Sequence, residues 1–125
     1  MGNKNKRPIF LNLLRIRLPV TGVVSILHRV SGVLLVLLLP PALLLLDRSL
    51  ADPDAFEACR RLMSTLPAKV LWFVALWLFV QHFLNGIRHL LLDLDICIDR
   101  KCARRSAWLA LAGSVLAVVA FGILR

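Results

Sequence analysis

A chain of 125 residues that is 59% hydrophobic, with a mean hydropathy of +0.80, is more apolar than soluble domains, whose share runs at about 45–50%. The composition points to a membrane protein. Its formal charge of +9 would suggest nucleic acid in a soluble chain, but the basic residues lie between apolar runs and read as orientation signals, which excludes a nucleic-acid partner.

Residues 1–20, "MGNKNKRPIFLNLLRIRLPV", form a basic N-terminal segment. It has no compact apolar core followed by a small-residue cleavage site, so it is not expected to be a signal peptide, and the chain is taken as mature. After Met-Gly come Asn3, Lys4, Asn5 and Lys6, without the Ser or Thr that myristoylation favours. The mixture of Arg with Ile, Phe and Leu in "RPIFLNLLRIRL" suits a segment lying on the membrane surface.

A membrane helix needs about 20 mostly apolar residues. Residues 21–46, 68–92 and 107–124 each supply such a run, which predicts an all-α integral membrane fold with three transmembrane helices in one anchor domain, 21–125. Pro19 and Pro67 suit the first turns of the first two spans. Pro40 and Pro41 are expected to kink the first span or end it early. The acidic stretch after Leu46, with Asp47, Asp52, Asp54 and Glu57, reads as a solvated connection. Cys97 and Cys102, five apart and without C-x-x-C spacing, read as ordinary thiols. Lys4, Lys6, Arg7, Arg15 and Arg17 precede the first span, and Arg100, Lys101, Arg104 and Arg105 follow the second. The predicted orientation therefore has the N-terminus and the second loop in the cytoplasm.

Ionisable residues inside a span are expensive, roughly 2.5–3.5 kcal/mol each at the bilayer centre, so each is a functional candidate. In the first span these are Ser25, His28 and Arg29. In the second they are Gln81, His82, Asn85, Arg88 and His89, closed by Asp93. Residues three, four and seven apart share a helix face, which gives one stripe of Ser25, Arg29 and Gly32 with His28 beside it, and another of His82, Gly86, His89 and Asp93. A histidine one turn from a glycine leaves a bare patch beside an imidazole, the shape a flat ligand such as a porphyrin needs. At 1.5 Å per residue His82 lies about 16 Å from Asp93, near mid-membrane, whereas His89 is within reach of the headgroups. His82 is thus the better iron ligand and His89 the interfacial residue. Blander roles stand beside these. A histidine in lipid also serves to bond another helix, Arg88 and His89 suit snorkelling anchors, and Ser25 could bond its own backbone one turn back. Trp72 and Trp77 read as packing or interface aromatics.

The blocks "RPIFLNLLRIRLPVTGVVSILHRVSG" and "HFLNGIRHLLLDLD", in that order on three spans, resemble the cytochrome b556 membrane anchors of bacterial succinate dehydrogenase. The likeness covers nearly the whole chain. It implies one part of a heteromeric helix bundle around haem b, in the inner membrane, with His82 as an axial ligand of the haem iron and the second axial histidine on a partner anchor subunit. It also implies that His28 and Arg29 meet the haem propionates, and that Ser25 and Arg29 line a ubiquinone pocket near an iron–sulfur subunit. The residue types fit these roles. Arginine's fork of donors pairs well with carboxylates, and a hydroxyl beside a cation polarises a quinone carbonyl. The chain has no tyrosine, so the phenol this family uses at the quinone must come from the partner anchor. No G-x-G-x-x-G motif or cysteine cluster motif is present, which leaves flavin and iron–sulfur chemistry to partner subunits. The expected function is transfer of electrons from succinate to ubiquinone, joining the tricarboxylic acid cycle to electron transport. The alternatives are a fumarate reductase anchor, a small proton- or ion-conducting subunit using the same histidines, and a purely structural anchor.

Overall fold

The computed structural model describes residues 18–124, in which four helices follow one another: α1 (Val20–Ser49), α2 (Pro53–Ser64), α3 (Leu66–Asp93) and α4 (Arg100–Leu124). Helices α1, α3 and α4, of 30, 28 and 25 residues, are long and apolar enough to cross a membrane. At 1.5 Å per residue they measure about 45, 42 and 38 Å, so their ends overrun a hydrocarbon core of about 30 Å. These are the three predicted spans, and no strand occurs among the described residues. The predicted surface segment, apart from Leu18, lies outside the described residues.

The helix starts follow from local chemistry. Pro19 sits at the N-cap of α1 and Pro67 in the first turn of α3, where a missing N–H removes no helical bond. Pro40 and Pro41 do not end α1, which continues to Ser49. Two adjacent prolines remove only two successive bonds, and the apolar run on both sides holds the helix in lipid. The start of α4 lies seven residues before the predicted span, because Arg100, Lys101, Ala103, Arg104 and Arg105 are good helix formers and carry the helix out of the apolar zone.

Two further expectations are corrected. The acidic stretch after Leu46 is not merely a solvated connection but contains α2, whose Asp52 caps the helix by accepting from the Ala55 N–H at 2.7 Å, with Pro53 in the first turn. Its Phe56, Cys59 and Met63, spaced for one helical face, lie against Ala42, Leu45 and Leu46 of α1. At the edge of that face Glu57 accepts from both Arg60 Nε and Nη2 at 2.8 Å, which holds its carboxyl below the usual range. Cys97 and Cys102, expected as thiols, are joined as a disulfide across the α3–α4 turn, where Asp95 and Cys97 adopt left-handed backbone conformations. The site described below does not depend on that bond.

The bundle is inside-out relative to a water-soluble protein. Its buried apolar residues are Val24, Leu78, Ala107 and Ala110, whereas Ser31, Gln81, Asn85, Arg88 and Ser114 are buried polar ones, and large side chains such as Val36 and Leu116 face outward. Lipid satisfies those outward surfaces. Helix contact rests on small residues and interhelical bonds, which let backbones approach closely. Ala107, Ala110 and Ser114 form one buried stripe of α4.

Candidate functional site

Successive spans reverse direction, which puts the first half of α1 beside the last half of α3. At that crossing three imidazoles converge. The rings of His28 and His82 stack with centroids 4.1 Å apart and planes 10° from parallel, and His89 lies 5.1 Å from His28 in a tilted contact. Glycines on each helix make the approach possible. A Cβ at Gly32 of α1 would lie 2.9 Å from His82 Cε1, and one at Gly86 of α3 would lie 3.6 Å from His28 Cε1. The bare patch beside Gly86 is therefore taken by the His28 ring rather than left as an open slot. His89, expected at the interface, belongs to this cluster.

The hydrogen bonds of His82 define its chemistry. Its Nδ1 lies 3.1 Å from the His28 carbonyl oxygen and 3.2 Å from Ser31 Oγ, and the Ser31 hydroxyl itself donates to the His28 carbonyl at 2.9 Å. A carbonyl oxygen accepts only, so Nδ1 is the donor, and in the neutral imidazole the lone pair is then on Nε2. Nε2 has no hydrogen-bond partner among the described residues. An imidazole fixed through Nδ1 to a backbone carbonyl, with Nε2 free, is the form that ligates a metal ion. Among the described residues no group of three or more His, Cys, Asp and Glu side chains is placed to hold a metal.

The remaining candidates are placed less tightly. Ser25 is half-buried and Arg29 exposed, and neither side chain forms a hydrogen bond or ion pair with another described residue. Arg29 nevertheless directly follows His28 on the helix carrying the cluster. Arg88 does not snorkel: it is 7% exposed and donates from Nε to Ser106 Oγ at 3.1 Å and from Nη2 to the Ala103 carbonyl at 3.3 Å. Gln81, Asn85 and Arg88 form a buried stripe, with Asn85 Nδ2 donating to the Gln81 carbonyl at 2.9 Å. Sequence reasoning missed Ser31, although its place three residues after His28 is that of a hydroxyl reaching back to a backbone carbonyl.

The profile of the succinate dehydrogenase/fumarate reductase transmembrane subunit matches residues 3–121. The chain belongs to this family. It is 32% identical over 123 residues to the succinate dehydrogenase cytochrome b556 subunit of Coxiella burnetii, covering 94% of this chain and 95% of that protein. The subunit of the same name from Paracoccus denitrificans is 27% identical over 117 residues, covering 94% and 90%, and that from Rickettsia conorii is 29% identical over 118 residues, covering 92% and 90%. A transmembrane subunit of this family is one part of an oxidoreductase complex, which accords with a site whose polar side chains are left incomplete within the single chain.

Proposed function

We propose that this chain is a haem-binding membrane anchor of succinate dehydrogenase, in which His82 holds haem b and the α1 face helps form the site of ubiquinone reduction. The observation that carries this reading is the fixed Nδ1 of His82, which leaves Nε2 as a lone-pair donor. The family and the cytochrome b556 relatives support it. When bound, haem b supplies a reversible one-electron iron couple.

The chain's own residues do the rest. His82 would hold the haem iron through Nε2, and a second iron ligand would come from the partner anchor subunit, as the family likeness implies. The chain is accordingly an obligate member of a hetero-oligomer with that anchor, an iron–sulfur subunit and a flavoprotein subunit that oxidises succinate. His28 and Arg29 provide cationic and N–H donors for the haem propionates. Arg29, uncommitted to other described residues, and Ser25 one turn before it donate to the quinone carbonyl as electrons arrive, where a preorganised donor counts most. With the N-terminus cytoplasmic, these residues lie in the half of the inner membrane nearest the soluble partners.

Membranes carrying the chain with its partner subunits are expected to show a haem b signal in a reduced-minus-oxidised spectrum. Its absence would end the cytochrome reading in favour of a proton-relay or purely structural anchor. Arg29→Ala is expected to lower succinate-to-ubiquinone electron transfer by at least about tenfold while dye-linked succinate oxidation continues. Equal loss of both activities would argue against a quinone-site role. Ser31→Ala removes one of two partners of His82 Nδ1, a loss of about 1 kcal/mol, and is expected to speed haem dissociation severalfold without abolishing binding. Dissociation unchanged from wild type would remove Ser31 from the positioning role.

A further inference from the structure

Between α3 and α4 runs a groove that none of the three histidines lines. It has a cavity volume of about 320 Å³, with Leu84 and Gly113 toward its inner end, Leu92, Ile96 and Cys97 toward the α3–α4 turn, and Arg88 with Ser106 between them. Arg88 as a whole is 7% exposed, and the bonds of its guanidinium go to the uncharged Ser106 hydroxyl and Ala103 carbonyl. Among the described residues the ion pairs join Glu57 to Arg60 and Arg61, and none reaches Arg88. Arginine does not give up its proton in a protein, and a buried cation without a counter-ion is strongly unfavourable. The groove therefore calls for an anion.

Depth and shape narrow the choice. Arg88 is five residues from the end of α3 at Asp93, about 7.5 Å along the axis. A helix of about 42 Å centred on an apolar core of about 30 Å overhangs it by about 6 Å at each end, so Arg88 lies where lipid phosphate and glycerol groups meet the hydrocarbon. From there the apolar walls lead inward past Leu84, and Gly113 keeps the α4 side open, an added Cβ there lying 3.6 Å from Leu84 Cδ1. At the same end of the bundle Arg88, Arg100, Lys101, Arg104 and Arg105 outnumber Asp93, Asp95 and Asp99, the last of which accepts from the Cys102 N–H at 3.0 Å. That positive field favours a headgroup with net negative charge over a zwitterion.

We propose that the α3–α4 groove is a specific site for an anionic phospholipid, its phosphate on Arg88 and an acyl chain along the apolar walls. The site is independent of the histidine cluster, so lipid retention and haem content are read separately. The test uses the complex assembled with its partner subunits, reconstituted into nanodiscs of mixed phosphatidylglycerol and phosphatidylcholine, extracted into mild detergent, and analysed for retained lipid by native mass spectrometry. Wild type is expected to retain phosphatidylglycerol in preference to phosphatidylcholine. Arg88→Gln should lower that retention about tenfold, equivalent to ~1.4 kcal/mol, and Arg88→Lys should preserve part of it. Gly113→Leu, which leaves Arg88 and its bonds in place, should lower retention by filling the groove. Equal retention of the two lipids by the wild-type complex overturns the proposal and is the result expected if a partner's carboxylate covers Arg88. Undiminished phosphatidylglycerol in assembled Arg88→Gln, or in assembled Gly113→Leu where the first variant fails to assemble, overturns it as well.

Discussion

Replacing His82 with alanine is expected to remove the haem b absorbance of the assembled complex, measured as a reduced-minus-oxidised spectrum normalised to subunit content. The Nδ1 hydrogen bonds to the His28 carbonyl and Ser31 hydroxyl fix the His82 ring and leave Nε2 as the donor. Loss of such a supporting partner typically lowers metal affinity roughly 10–100-fold, so if His82 is the ligand, as proposed, its loss should exceed that range. His28 is not a substitute. Its ring lies face to face with that of His82, and Gly86 leaves its Cε1 edge against α3, so a new in-plane donor would require α1 to rotate. A spectrum unchanged in His82→Ala would overturn the ligand assignment while leaving family membership intact.

Gly32→Ala is expected to reduce haem content nearly as strongly, about tenfold or more, although its methyl would meet Nε2, the proposed ligand atom, only at an ordinary 3.9 Å. The added methyl would stand 2.9 Å from His82 Cε1 and 3.4 Å from Nδ1. The ring cannot move aside freely, because one face is stacked on His28 and Nδ1 is held by two partners. Gly86→Ala is the matched control, since its methyl would meet His28 Cε1 at an ordinary 3.6 Å and should leave haem content near wild type. Both changes improve helix propensity, by about 1 kcal/mol each, so backbone stability does not explain a loss confined to Gly32→Ala. Equal haem contents in the two variants would show that the close approach at Gly32 does not position His82.

The polar members of the site were legible as residues but not as an arrangement. Spacing put His28 near Gly32 and His82 near Gly86 on single helices, whereas the structure crosses these pairs, with Gly32 clearing His82 and Gly86 clearing His28. Spacing within a helix fixes which residues share a face, but not which face of the neighbouring helix they meet. Ser31 escaped attention because its role depends on His82, fifty-one residues away. For Arg88 the sequence left a ligand contact and a snorkelling anchor both open, whereas the Ser106 hydroxyl and the Ala103 carbonyl of α4 accept its bonds within the bundle. The second helix was legible and overlooked: Asp52 before Pro53, then Phe56, Cys59 and Met63 on one face, is a capped amphipathic helix.

By itself the sequence determined three spans, their order and which costly polar residues enter the membrane, because bilayer thickness turns an apolar run of sufficient length into a helix regardless of its neighbours. The blocks at residues 7–32 and 82–95 also carried the family likeness. Only the tertiary structure decided that His28, His82 and His89 meet, that Ser31 and a backbone carbonyl fix Nδ1, and that Arg88 turns into α4. Those outcomes depend on how each helix rotates about its axis. In lipid that rotation is set by close packing of small residues and by interhelical hydrogen bonds, which no single segment contains.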